Sequence, residues 1–430
     1  MILHTVEPGQ TIDTIAAMYG ISADRLTFDN QIYNPTRLVV GQTLLILIPE
    51  VVHQVRVNES VYSIASDYGI TPLTLVRNNP YLLFQEYISP GQTIVIQYQD
   101  EKLGNMTTNG YAFPTIKEET LNETLLFLTE LSVFSYGFTT NGELISPLTN
   151  DVWMIEKAKE YGVSPILVLT PFTENAVFNN QLISTLINNT TVQQNLIQNL
   201  LTTMRQKGYQ GVDIDFEFVL PQDKEGYVAF IRQLTETMNN NGFKVSVALA
   251  PKTSATQKGL IYEGIDYQVI GAYANSVLVM TYEWGYTYGP PMAVAPLNKV
   301  REVLNFAVSQ IPPEKIDMGI PNYGYDWTLP FVKGNSKATL IGNVEAIQIA
   351  SENNAIIQFD TTAMSPFFEY SKNGQEHIVW FEDARSIDAK LRLVAEYGFR
   401  GVGYWNLMRY FRQNWLLLNA LYDISPSSLQ

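Results

Sequence analysis

The 430-residue sequence contains no cysteine. Disulfides, thiolate metal sites and a cysteine nucleophile are therefore excluded. Histidine is almost as scarce: His4, His53 and His377 lie far apart in the chain, and their spacing suggests neither a zinc site nor a Ser/His/Asp triad. Carboxylates remain as the obvious catalytic groups. No apolar run approaches the roughly 20 residues of a membrane-spanning helix. Basic residues are few too, 27 Lys and Arg against 42 Asp and Glu, for a formal net charge of −15. That balance disfavours nucleic acid and anionic membrane surfaces as partners. The opening MILHTVEPGQ lacks the basic and apolar regions of a secretory signal. The expectation is a protein that works in the cell that made it or reaches its site by another route.

What the chain has in quantity is apolar surface. It is 46% hydrophobic and 12% aromatic, enough for a large core, and its length allows two or three domains. The first hundred residues hold an internal repeat. HTVEPGQTIDTIAAMYGI from His4 realigns with HQVRVNESVYSIASDYGI from His53 at a shift of 49, and VGQTLLI and PGQTIVI close the two units. Each unit reads strand, helix, helix, strand. Thr11 and Ser60 are candidate N-caps, with Gly20 and Gly69 as helix stops. Where the first copy has Gly9 the second has Asn58, a residue that tolerates left-handed backbone. This pattern closely resembles LysM modules, which implies binding of N-acetylglucosamine-containing glycans. The expected boundaries are 1–49 and 50–98, followed by a polar linker over 99–109.

Beyond the linker, short apolar segments alternate with helical ones. Candidate strands are 110–114, 131–138, 165–170, 211–218, 244–251, 277–284, 317–327 and 401–407. Eight strands separated by helices fit an α/β fold, a (β/α)8 TIM barrel over 110–425. The alternative, a doubly wound open sheet, lacks the Gly-rich phosphate loop after a strand. Strand-like patches between the last two candidates suggest an α+β insertion at about 328–395.

The segment GVDIDFEFV, 211–219, alternates apolar and acidic residues. On a strand this sends Val212, Ile214, Phe216 and Phe218 to one face and Asp213, Asp215 and Glu217 to the other. A solvated edge strand would have the same pattern. As the fourth barrel strand, however, it would aim three carboxylates at the interior, which costs several kcal/mol each unless protons or hydrogen bonds are shared. Such an arrangement suits chemistry, with Glu217 at the C-terminal end where barrel active sites form and its pKa raised by neighbouring acids.

QGVDIDFE resembles the D-G-x-D-x-D-x-E signature of family 18 glycoside hydrolases. GYAFP, MTYEW (280–284), GIPNYGYDW (319–327) and GVGYWNL resemble further motifs of that family in the right order. The resemblance implies a retaining, substrate-assisted reaction without metal or other cofactor. Glu217 would be the general acid/base, Asp215 would orient the substrate's 2-acetamido group as nucleophile, and Asp213 would tune Asp215 from below. Tyr282 would bond the acetamido carbonyl and Trp405 would floor the sugar site, with Tyr111, Asn322 and Glu283 lining the same cleft. The chain departs from the pattern at Gln210, which replaces the signature's first Asp, and at Glu283, which replaces an Asp. A third departure is VLTPF (168–172), which lacks the family's Gly-Gly. Two LysM-like units feeding into such a barrel resemble spore cortex-lytic N-acetylglucosaminidases of the bacillus type. That resemblance implies a monomer acting on cortex peptidoglycan, placed in the spore by the mother cell. A chitinase and a catalytically silent glycan-binding barrel are the rival expectations, the latter disfavoured because Glu217 is retained.

Overall fold

A computed structural model describes residues 1–173 and 177–424. Eight parallel strands close on themselves, and we number them β1 (Asn105–Ala112), β2 (Glu130–Phe138), β3 (Ser164–Leu169) and β4 (Gly211–Ile214). The ring continues through β5 (Lys244–Leu249), β6 (Ser276–Val279), β7 (Ile316–Pro321) and β8 (Gly401–Trp405). Each strand pairs with the next, and β8 returns to β1 with Gly403 opposite Asn109. A helix follows every strand, so the fold is the expected TIM barrel.

The helices form for legible reasons. Thr190–Lys207 buries Val192, Leu196, Ile197, Leu200, Leu201 and Met204 at three- and four-residue spacing. Burial of each such side chain stabilises by roughly 2 kcal/mol. Asn189 caps its start by accepting from Thr191 and Val192 N–H groups, and Gly208 ends it at φ 84°, a left-handed conformation that carries no steric penalty in glycine.

Several boundaries differ from the sequence expectation. The first strand begins at Asn105, inside the segment expected to be linker. Its polar Thr108 is buried there because its hydroxyl donates to Phe127 O (2.6 Å) and accepts from Thr129 N–H (3.1 Å). The fourth strand leaves the ladder after Ile214, four residues earlier than expected. The Asp215 N–H still reaches Leu169 O (3.0 Å), and the chain then runs out to the turn Pro221–Asp223. Phe216 packs on the helix side against Phe138 and Phe230. Phe218 is only half-buried, and Val219 takes the buried place instead.

The insertion is a five-stranded antiparallel sheet with the helix Asn343–Glu352, and its strands lie between Gly324 and Trp380. It starts and ends earlier than expected. The helix Ala384–Tyr397, expected within it, buries Ile387, Leu391, Leu393 and Val394 in the barrel core.

Each N-terminal unit is a two-stranded antiparallel sheet carrying two helices. Thr11 and Ser60 cap their first helices as expected. Gly9 and Asn58 adopt the same left-handed turn, at φ 85° and 67°. Both units pack on the barrel's last helix, Arg412–Leu421, every residue of which is buried. Gln413 Nε2 donates to Asn30 Oδ1 (2.7 Å) and Thr43 O (2.9 Å) of the first unit, and Asn419 Nδ2 donates to Asn78 Oδ1 (2.8 Å) of the second.

Candidate active site

The C-terminal mouth of the barrel collects the acids. Asp213 is fully buried and accepts two hydrogen bonds, from Tyr111 OH (2.9 Å) on β1 across the lumen and from Ser246 Oγ (2.5 Å) on the adjacent β5. Those contacts fix the acidic face of β4 toward the interior. Burial pushes the Asp213 carboxyl up to about 6, and the two hydroxyl donors hold it from going higher. Asp215, one step above, is buried too, and burial followed by the charges of Glu217 and Asp213 raises its pKa well above the usual carboxylate range. Its Oδ1 is buried without a hydrogen-bond partner. Such an atom is costly unless something supplies a donor.

Glu217 stands at the rim, half-buried. Burial raises its pKa, and the nearby Glu283 charge adds to the rise. A carboxyl so placed keeps its proton to higher pH and can deliver it. Glu283 sits at φ 67°, in left-handed backbone rare for a residue with a long side chain. Its carboxylate accepts from Tyr323 OH and from Tyr325 OH (3.1 Å). Burial raises its pKa while those two phenols pull it down. Tyr282 lies beneath, buried, its hydroxyl kept protonated by burial and by the neighbouring acids.

Trp405 ends β8, half-buried, at the centre of an aromatic group: ring centroids lie 4.9 Å away at Phe134, 5.9 Å at Tyr111 and 6.1 Å at Phe113. Two hollows border these groups, one at Glu217 and one at the Phe113 and Phe134 rings beside Trp405. One, of about 360 Å³, touches Glu217, Pro251, Thr253, Tyr282, Glu283 and Trp284. The other, of about 310 Å³, is walled by Phe113, Phe134, Leu148 and Phe172. In VLTPF, Thr170 Oγ1 donates to Tyr136 O (3.1 Å). The close approach there is made by Gly137 of β2, where a Cβ would stand 2.2 Å from Phe172 O.

The structure therefore brings Asp213, Asp215, Glu217, Tyr282, Glu283 and Trp405 together. Tyr111 and Asn322 do not open on the cleft. Tyr111 is 2% exposed and spends its hydroxyl on Asp213. Asn322 is 3% exposed, and its Nδ2 donates to Arg409 O (2.6 Å), bracing the loop after Trp405. Sequence reasoning missed Ser246, Tyr323 and Tyr325. The two tyrosines stand two apart inside GIPNYGYDW, a spacing that could have marked a paired clamp. Ser246 carries no signal of its own in KVSVAL. Gln210 lies at the opposite end of the barrel, beside a hollow of about 260 Å³ that Glu130 and Arg400 also touch. Among the described residues no group of three His, Asp or Glu is placed to hold a metal ion, and no helix is long and apolar enough to cross a membrane.

The profile of the glycosyl hydrolases family 18 matches residues 177–409, more than half of the chain. The chain belongs to glycosyl hydrolase family 18. The LysM domain profile matches residues 4–47 and 53–97, the two N-terminal units. The cortical fragment-lytic enzyme of Bacillus subtilis (strain 168) is 37% identical over 431 residues, 99% of each chain. The crystal structure of the Bacillus cereus spore cortex-lytic enzyme SleL superposes with a TM-score of 0.84 at 36% identity, covering 99% of this chain and 98% of that one. A chitinase from Chromobacterium violaceum, 22% identical over 73% of this chain and 98% of its own, shares the barrel fold with a TM-score of 0.68. This family 18 chain is thus a glycoside hydrolase carrying two LysM modules.

Proposed function

We propose that this family 18 enzyme hydrolyses the glycosidic bond following N-acetylglucosamine in spore cortex peptidoglycan, with retention and with the substrate's own acetamido group as nucleophile. The observation that carries the mechanism is the orphaned Oδ1 of Asp215. An acetamido N–H is a donor of the kind that atom lacks, and gripping it turns the carbonyl oxygen toward the anomeric carbon. Glu217 protonates the departing oxygen, the C–O bond breaks, and the acetamido oxygen closes an oxazolinium ring. Deprotonated Glu217 then takes a proton from water, whose oxygen attacks the anomeric carbon and reopens the ring. Asp213 is the layer beneath, held by Tyr111 and Ser246. Tyr282 donates to the acetamido carbonyl and Trp405 floors the sugar. Glu283 contacts the sugar from the phenol clamp, while Tyr111 and Asn322 position the site from behind.

Cortex as substrate rests on the two full-length relatives, whose names tie them to cortex lysis. On that reading the enzyme resides in the spore and works as a monomer on a glycan held by its LysM modules. Mass spectrometry of digested cortex is the test: N-acetylglucosamine is expected at the new reducing ends. Muramic acid or muramic lactam there refutes the assigned bond. Digestion of chitin in preference to cortex returns the protein to the chitinases.

A further inference from the structure

The two LysM modules have the same fold and nearly the same turn, and the molecule uses that turn in opposite ways. Gly41 and Gly91 occupy equivalent positions at φ 82° and 86°. In both modules the turn is zipped to the opening loop, by Gly41 N–H to Val6 O (2.8 Å) and by Gly91 N–H to Val55 O (2.7 Å). A Cβ on Gly41 would stand 1.9 Å from Ile357 O of the insertion, whereas a Cβ on Gly91 would meet nothing within 4 Å.

The rest of the turn follows suit. In the first module Val40 O accepts from Ile357 N–H (3.0 Å), Thr43 Oγ1 donates to Asp383 Oδ2 (2.9 Å), and Val39 is buried in the hydrophobic core of the insertion. Arg37, four residues before Gly41, bonds Asn354 of the insertion. Four residues before Gly91 the second module has Tyr87 instead, 77% exposed. Where the first has Asp13, the repeat gives the second Tyr62, 75% exposed.

We propose that glycan is held by the second module alone, through the exposed rings of Tyr62 and Tyr87 that flank its zipped loops in the chain, and that the first module is a bracket. The inference deepens the glycan-binding reading above and rests on it. On the first module the turn side of the matching face is filled by this chain's own insertion, which leaves only its opening loop exposed, as at Gly9 and Asp13. The second module offers two exposed rings together with the side-chain amides of Asn58 and Gln85. Apolar faces of sugar rings stack on such aromatic groups while amides meet hydroxyl and acetamido groups. A neutral N-acetylglucosamine polymer has that chemistry, and a chain of net charge −15 does not attract polyanions.

The test compares Tyr62→Ala/Tyr87→Ala with Tyr33→Ala, an exposed tyrosine of the first module, in the full-length chain. Each is made with Glu217 intact for turnover of a short chromogenic N-acetylglucosamine glycoside, and with Glu217→Gln for sedimentation with chitin. The double variant is expected to weaken retention on chitin about tenfold or more, Tyr33→Ala less than about twofold, and short-glycoside turnover to stay unchanged in both. Tyr87→Phe keeps the ring and is expected to keep binding. Undiminished retention in the double variant overturns the proposal, as does an equal loss in Tyr33→Ala or a loss in Tyr87→Phe. If the double variant melts early, Tyr62→Ser and Tyr87→Ser are judged singly by the same criterion. A chain that cleaves no glycoside yet keeps this binding pattern refutes the proposed reaction and leaves the asymmetry standing.

Discussion

At the N-terminal mouth of the barrel, Glu130 and Asp317 flank the guanidinium of Arg400. At the C-terminal mouth, Asp213, Asp215, Glu217 and Glu283 face one another, and their hydrogen-bond partners among the described residues are hydroxyl groups rather than cations. The same barrel thus crowds carboxylates twice, once around a cation and once in mutual repulsion. In the first, burial leaves the Asp317 carboxyl raised to about 7, although the Arg400 charge draws it down. In the second no cation answers the acids, and burial with like charges outweighs the few hydroxyl donors, so protons are held to higher pH. The contrast separates an end that serves the fold from an end that holds a reactive proton at some cost in stability.

Removing the proton donor tests the contrast most strongly. Glu217→Gln is expected to lower kcat by about 10²–10⁴-fold while leaving glycan affinity nearly intact, since the lost group acts in the transition state. Steady-state kinetics beside equilibrium binding would show it, and a parallel loss of affinity would contradict the assignment. At the other mouth, Arg400→Met strands the buried carboxyl of Asp317 beside half-buried Glu130. It is expected to cost about 3–5 kcal/mol of stability, read by denaturant unfolding, with turnover per folded molecule unchanged.

The smallest effect has the opposite sign. A carboxyl whose pKa is raised on folding binds its proton more tightly in the folded chain. Its contribution is therefore fully present below the unfolded value of roughly 4 and is lost as pH rises through the folded value, about 6 for Asp213 and higher than usual for Asp215. Asp215→Asn removes one such group. At pH 7 it is expected to raise the melting temperature by on the order of a few degrees while abolishing most activity, and the gap should close toward pH 4. A variant that melts lower at pH 7 would show that the acids are better solvated than their burial implies.

The fold was legible in sequence wherever apolar alternation and helix spacing agreed, which gave all eight strands. It failed where polar residues hide inside the core. Thr107 and Thr108 open β1 with hydroxyls satisfied by Arg400 O and Phe127 O, partners that no local pattern reveals. The edge of the insertion was blurred because the helix Ala384–Tyr397 has an apolar face of the ordinary kind, and nothing in its own residues says whether that face meets the barrel or the inserted sheet. In the site, the acids of β4 announced themselves because three carboxylates on one face are electrostatically improbable. The clamp on Glu283 did not, since a tyrosine two residues from another reads equally well as core. Asn322 misled for the converse reason: a polar residue near the cleft turned its amide to backbone carbonyls behind it.

The helix Arg412–Leu421 has no outward face. It is wrapped by barrel on one side and by both modules on the other, so neither neighbour can leave without unpairing the buried amides of Gln413 and Asn419. Modules and barrel are therefore expected to melt together, as one transition in calorimetry, rather than in sequence. On that expectation the enzyme meets its polymer as a rigid gauge, with the distance from hold to cut written into one helix.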